Sequence, residues 1–231
     1  MHMLRRIEKA TLGALATIAL VLAFLPVATA APAPTWRRSV GSELGAVAVD
    51  DAERAYVTGS KDLRNGSAVV VAKYRPGGAR LWKRTWHPDQ GYAQGTDVAV
   101  APDGSVYVVG GVNVTGVEGG AWFIRKYSAS GQLLWDRKSP GWKTDLSLAE
   151  NMSAVAASRQ FVVVAANHYG CCSIAADDGW IRAYSHHGKR LWTRQFEVPG
   201  VPTNTNDRAN DVALGGLDRI RRRQGGDEAS R

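Results

Sequence analysis

The pattern Tyr-x-x-x-Gly-x-x-Leu-Trp occurs three times, and it limits what this chain can fold into more than any other feature. It runs from Tyr74 through Gly78 to Leu81 and Trp82, from Tyr127 through Gly131 to Leu134 and Trp135, and from Tyr184 through Gly188 to Leu191 and Trp192. Each copy follows a hydrophobic run, so each predicts a β-hairpin whose glycine takes the positive φ that side chains resist. Trp36 extends the series, with spacings of 46, 53 and 57 residues between successive tryptophans. Periods of this length mean an array of supersecondary units, each of which buries its face only against its neighbours.

The same segments return in the same order within each period. An alternating strand comes first, at 46–49, 97–100, 153–156 and 211–214; a turn follows, clearest at Pro102-Asp103-Gly104. A second strand is expected at 55–59, 106–110 and 161–165, a third at 68–74, 121–127 and 180–184, and a fourth carrying the Leu-Trp pair. Four short strands per repeat, dense in Val, Tyr and Trp and divided by Gly and Asp turns, meet the needs of a β-propeller blade and exclude a helical solenoid. The expected fold is all-β: a partial propeller of three full four-stranded blades, at about 45–86, 95–139 and 151–196, with flanking single strands.

The blades resemble bacterial β-propeller repeats of the seven-bladed type, which are similar in look to pyrroloquinoline-quinone-type repeats. Those read Val-x-Val-Asp-x-x-Gly-x-x-Tyr-Val-x-Gly, then Phe-Val-x-Lys-Tyr, then Gly-x-x-x-Trp. Residues 97–135 match closely and 46–82 nearly as well, whereas 153–192 has Ser158-Arg159-Gln160 at the turn and aligns Ala165 with the closing glycine. The fourth repeat starts at Asp211, and Ile220 falls where Val106 stands, but Arg221, Arg222 and Arg223 occupy the next strand. That pattern predicts repeats over 36–217 and a disordered basic tail over 218–231, and with it a truncated or frame-shifted product of a longer propeller gene. An open array of this kind is expected to self-associate through its end blades.

Residues 1–30 have the layout of a secretory signal: a head with Arg5, Arg6 and Lys9, an apolar run, and Ala28-Thr29-Ala30 before the expected cleavage point. Residues 31–35 then form a short linker. The expected location is secreted or extracytoplasmic. Of the +8 formal charge, the signal segment holds +2, so the remainder carries +6. A balance of this size could draw the protein to acidic surface polymers, a cell-surface polymer or protein being the expected class of partner; no nucleic-acid partner is expected.

The candidate chemistry is sparse. Cys171 and Cys172 are the only cysteines, and they are adjacent. Neighbouring Cα atoms lie about 3.8 Å apart, so a vicinal disulfide between them closes a strained eight-membered ring. The resemblance makes a quinone site one reading, because quinoprotein alcohol dehydrogenases place such a ring against their cofactor; a structural vicinal disulfide or a bond to a partner are the others. No carboxylate set is spaced to hold the calcium that such cofactors require, and no cofactor is expected. His168 with Cys171, Cys172, Asp177 and Asp178 fits no ligand spacing, and a surface loop is the simpler account.

His186-His187 fills the hairpin slot of Pro76-Gly77 and Ala129-Ser130, which predicts exposed turn histidines. Arg38, Arg84, Arg137 and Arg194 each stand two residues past an organising tryptophan, where they would guard an outer edge strand or form a basic belt. Asn65, Asn113 and Asn151 match glycan acceptors. The expected role is a non-enzymatic binding or surface-interaction module, with ligand contacts on the variable loops 60–67, 111–120 and 167–178. A fragment of a quinoprotein or lyase-type propeller enzyme, or an inactive product of a broken gene, are the alternatives.

Overall fold

The computed structural model describes residues 36–88, 91–113, 121–139, 148–170, 179–195, 209–214 and 220–221; within these, the side chains of 113, 148–151, 168–170 and 220–221 lie outside the description. No helix occurs among them, and the strands form antiparallel meanders. Blade 1 runs β1 (Glu43–Val49), β2 (Ala55–Leu63), β3 (Gly66–Tyr74), β4 (Arg80–Trp86); blade 2 runs β5 (Tyr92–Val100), β6 (Val106–Asn113), β7 (Ala121–Tyr127), β8 (Leu133–Lys138). Blade 3 runs β9 (Leu148–Ala157), β10 (Phe161–Gly170), β11 (Gly179–Ser185), β12 (Arg190–Gln195). The protein is therefore all-β, with three four-stranded blades, as the repeat demands.

Burial explains why the third strands read as near-continuous apolar runs. Every residue of β3 and of β7 is buried, because successive side chains point to opposite faces and both faces are covered. On β7, Phe123 and Tyr127 join the core shared with blade 1, while Trp122 and Ile124 join the core shared with blade 3. On β11, Trp180 and Tyr184 face blade 2, while Ile181 and Ala183 face the segment 209–214. The first strand of each blade lies against its predecessor: β5 packs on β1, β2 and β3, and β9 on β5, β6 and β7.

The third blade departs from the sequence alignment by one residue. Tyr74 pairs with Ala55 and Tyr127 with Val106, but Tyr184 pairs with Val162 rather than Phe161. The reason lies in the preceding turn. Backbone bonds close Asp50–Arg54 and Ala101–Ser105 as five-residue turns, whereas Ser158–Phe161 closes in four. Val163 therefore stands in the place of Tyr56 and Tyr107, and Ala166, not Ala165, in the place of Gly59 and Gly110.

Beyond blade 3, β13 (Ala213–Leu214) pairs with β14 (Ile220–Arg221). Leu214 opposite Ile220 repeats the pairing of Val100 with Val106, so a fourth blade begins in register. The segment expected to be tail thus includes strand residues Ile220 and Arg221; its other residues lie outside those described.

Candidate functional site

The repeated residues build the same clasp three times, once between the segment at Trp36 and blade 1 and once at each of the two junctions between blades. Trp36 Nε1 donates to the Pro76 carbonyl (2.8 Å), Trp82 Nε1 to Ala129 (3.0 Å) and Trp135 Nε1 to His186 (2.9 Å). The arginine two residues on completes each clasp: Arg38, Arg84 and Arg137 donate from Nε to Gly78, Gly131 and Gly188 at 3.1, 2.7 and 3.1 Å. Each tryptophan thus covers the hairpin of the following blade. The repeat tyrosine packs under the same ring, with Trp36 and Tyr74 at 5.8 Å and Trp82 and Tyr127 at 6.3 Å between centroids.

Glycine is required here for two separate reasons. Gly78, Gly131 and Gly188 have φ of 77°, 83° and 79°, in the left-handed region. A Cβ at each would also approach the covering indole to 2.5, 2.8 and 3.1 Å respectively. Tyr74, Gly78, Trp82, Tyr127, Gly131, Trp135, Tyr184, Gly188 and Trp192 are therefore one docking device read along the chain. At its end, Trp192 and Arg194 are left with no clasp of this kind among the described residues; Arg194 lies over its own tryptophan, 6.0 Å from the ring centroid, and donates to the Thr193 carbonyl beside it (3.1 Å).

Two lysines reinforce the clasps. Lys73 Nζ donates to Ala129 and Lys126 Nζ to His186, the same carbonyls that Trp82 and Trp135 use. Each ammonium lies over the tyrosine opposite it in the sheet, Lys73 over Tyr56 at 5.0 Å and Lys126 over Tyr107 at 5.4 Å. Burial lowers both lysine pKa values, and it raises the hydroxyl pKa of both tyrosines. Blade 3 has the apolar pair Val163 and Ala183 in this place.

The histidine reading needs a correction. His186 is half-buried and not free in the turn: its Nδ1 lies 2.5 Å from the Tyr107 hydroxyl, across the blade junction, and only His187 is exposed. Of the arginines after the tryptophans, Arg38, Arg84 and Arg137 bond the following hairpin, a contact that the edge and belt readings did not include.

Carboxylates fix the turns and the inner strands. Burial pushes Asp50 upward, but the Tyr56 hydroxyl, the Arg54 N–H and the Arg54 guanidinium outweigh it and hold the carboxyl below its ordinary value. Burial likewise opposes Asp103, and the Ser105 N–H and hydroxyl, aided by Lys126 and His186, bring it down. Asp97 behaves in the opposite way: burial keeps its pKa raised although it accepts the N–H groups of Val98 and, across the junction, Val155 (2.7 Å). At the next junction Asn167 accepts the Ala209 N–H (2.7 Å).

A cleft of ≈ 350 Å³ lies between the turns of blades 2 and 3, lined by Pro102, Asp103, Ser158, Arg159 and His186. Within the third strands, Arg125 stacks on Trp86 (4.0 Å) and Arg182 on Trp180 (3.7 Å); Arg125 is buried and Arg182 partly buried. Of the sequence candidates, Cys171, Cys172, Asp177, Asp178 and the side chain of His168 lie outside the described residues, as do 114–120 of the second variable loop and 171–178 of the third. Asn65 is exposed in the β2–β3 turn. Among the described residues no group of three or more His, Cys, Asp and Glu side chains is placed to hold a metal ion. No protein-family model matches the chain, and no curated protein matches it.

Proposed function

We propose that this chain is an exported propeller-type binding module, whose ligand contacts lie on the β2–β3, β6–β7 and β10–β11 connections. One observation carries the reading. The side chains that catalysis would draw on, His186, Lys126, Asp97 and Asp103, are engaged in turn and junction bonds, while the stretches 60–67, 111–120 and 167–178, which link second to third strands and include the strand ends 60–63, 66–67, 111–113 and 167–170, differ in length and sequence on a constant frame. A mildly basic body suits an anionic surface polymer of the cell exterior. The resemblance to bacterial seven-bladed-type repeats supports the same class without choosing a ligand.

The test is retention of the chain lacking residues 1–30 on isolated bacterial cell wall at moderate salt. Binding that is lost when the three loops are shortened supports the reading. Activity restored by calcium and quinone, or a bound chromophore, would replace it with the enzyme reading.

A further inference from the structure

We propose that Arg182 and Trp180 form a seat for a carboxylate ligand between blades 2 and 3. The observation is an unmatched charge. Arg182 lies partly buried with its guanidinium 3.7 Å from the Trp180 ring and 5.9 Å from that of Trp122. Its Nε is buried without a hydrogen-bond partner, and so is the indole Nε1 of Trp180, a residue only 2% exposed. Among the described residues no Asp or Glu pairs with Arg182. Buried donors without partners are rare in proteins, and a half-buried guanidinium stacked on an indole is a common way to present a planar fork to a carboxylate.

The repeat supplies its own control. Arg125 occupies the same position on β7, two residues before the repeat tyrosine, and also stacks on a tryptophan. There the residue opposite, on β8, is Asp136, whose carboxylate lies 3.4 Å from Arg125 Nη2. Opposite Arg182, on β12, stands Thr193. The Nε of Arg125 is likewise buried without a hydrogen-bond partner, so what separates the two junctions is the carboxylate: blade 1–2 carries one on Asp136, and blade 2–3 shows none against Arg182 among the described residues. The chemistry that fits is a carboxylate small enough to reach the guanidinium beside Trp122, that of a uronic acid unit.

This goes beyond the surface-binding role and is independent of it, since wall retention and the titration below are separate readouts. The titration follows the Trp180 indole N–H resonance in the full chain against D-glucuronate, with glucose and sodium chloride at matched ionic strength as controls. A saturable shift with glucuronate alone is expected, weakened at least tenfold in Arg182→Gln. Thr193→Asp should abolish it as well, while raising the melting temperature by placing on β12 the carboxylate that Asp136 places on β8. A response that is linear, that glucose reproduces, or that persists in Thr193→Asp overturns the proposal. So does a response seen only when Asp177 and Asp178 are replaced by Asn, because the chain would then fill the seat itself.

Discussion

Gly131→Ala is the sharpest perturbation of the blade clasp. The substituted residue would keep a φ of 83°, which penalises a side chain by about 1–2 kcal/mol. Its Cβ would also stand 2.8 Å from Trp82 Cδ2 and 3.0 Å from Cγ, so the indole must retreat by about 0.6 Å to reach ordinary contact. That retreat strains a packed junction by about 1–3 kcal/mol and puts the Nε1 bond to Ala129, about 1 kcal/mol, at risk. The expected loss is about 3–5 kcal/mol in urea unfolding followed by tryptophan fluorescence. Gly77→Ala, in the equivalent hairpin of blade 1, is the control: its Cβ meets nothing within 4 Å and its φ is not positive, so a change within about 0.5 kcal/mol is expected. Gly78→Ala should fall between them although its clash is closer, 2.5 Å, because the opposing Trp36 sits on a half-buried edge segment that can lift away. Equal effects at Gly131 and Gly77 would refute the clasp as a source of stability.

Acid sensitivity and the last junction give further checks. Asp50 and Asp103 are held below their ordinary pKa of 3.8, so their contribution is complete above that value and is lost as pH falls through the lower folded pKa; Asp50→Asn should flatten the acid limb of the urea midpoint below pH 3.8. Asp97 runs against this trend, since its raised pKa makes ionisation weaken the folded state, and Asp97→Asn should remove a decline in stability that sets in as pH rises past 4. Asn167→Ala leaves the Ala209 N–H without its acceptor and should speed limited proteolysis around residues 209–214 while the cleavage pattern of blades 1 and 2 stays unchanged.

The blades were legible in the sequence because period-2 alternation and the Tyr, Gly and Trp markers are local. Register in blade 3 was not, since a turn shortened by one residue leaves the apolar run 161–165 equally apolar in either frame; only the cross-strand pairing of Tyr184 with Val162 separates them. The clasps were half-legible. Trp82, Arg84 and Gly131 could each be named as repeat positions, but the bonds join residues 47 apart, and nothing in a linear pattern says which blade's turn a side chain covers. The same distance hid His186: its hairpin slot predicted an exposed ring, and its partner Tyr107 lies 79 residues away. The Arg182 seat had a readable signal, the change from Asp136 to Thr193 opposite a repeated arginine, which needs the strand pairing before it means anything.

The claim that the repeat is a serial docking device is tested most directly by hydrogen exchange at the indole N–H groups, assigned by single Trp→Phe changes. The N–H groups of Trp82 and Trp135, each bonded to the next blade's hairpin, should exchange at least tenfold more slowly than that of Trp192, which has no such bond among the described residues. Protection of Trp192 equal to the other two, or loss of all three signals at the same rate, would contradict the account.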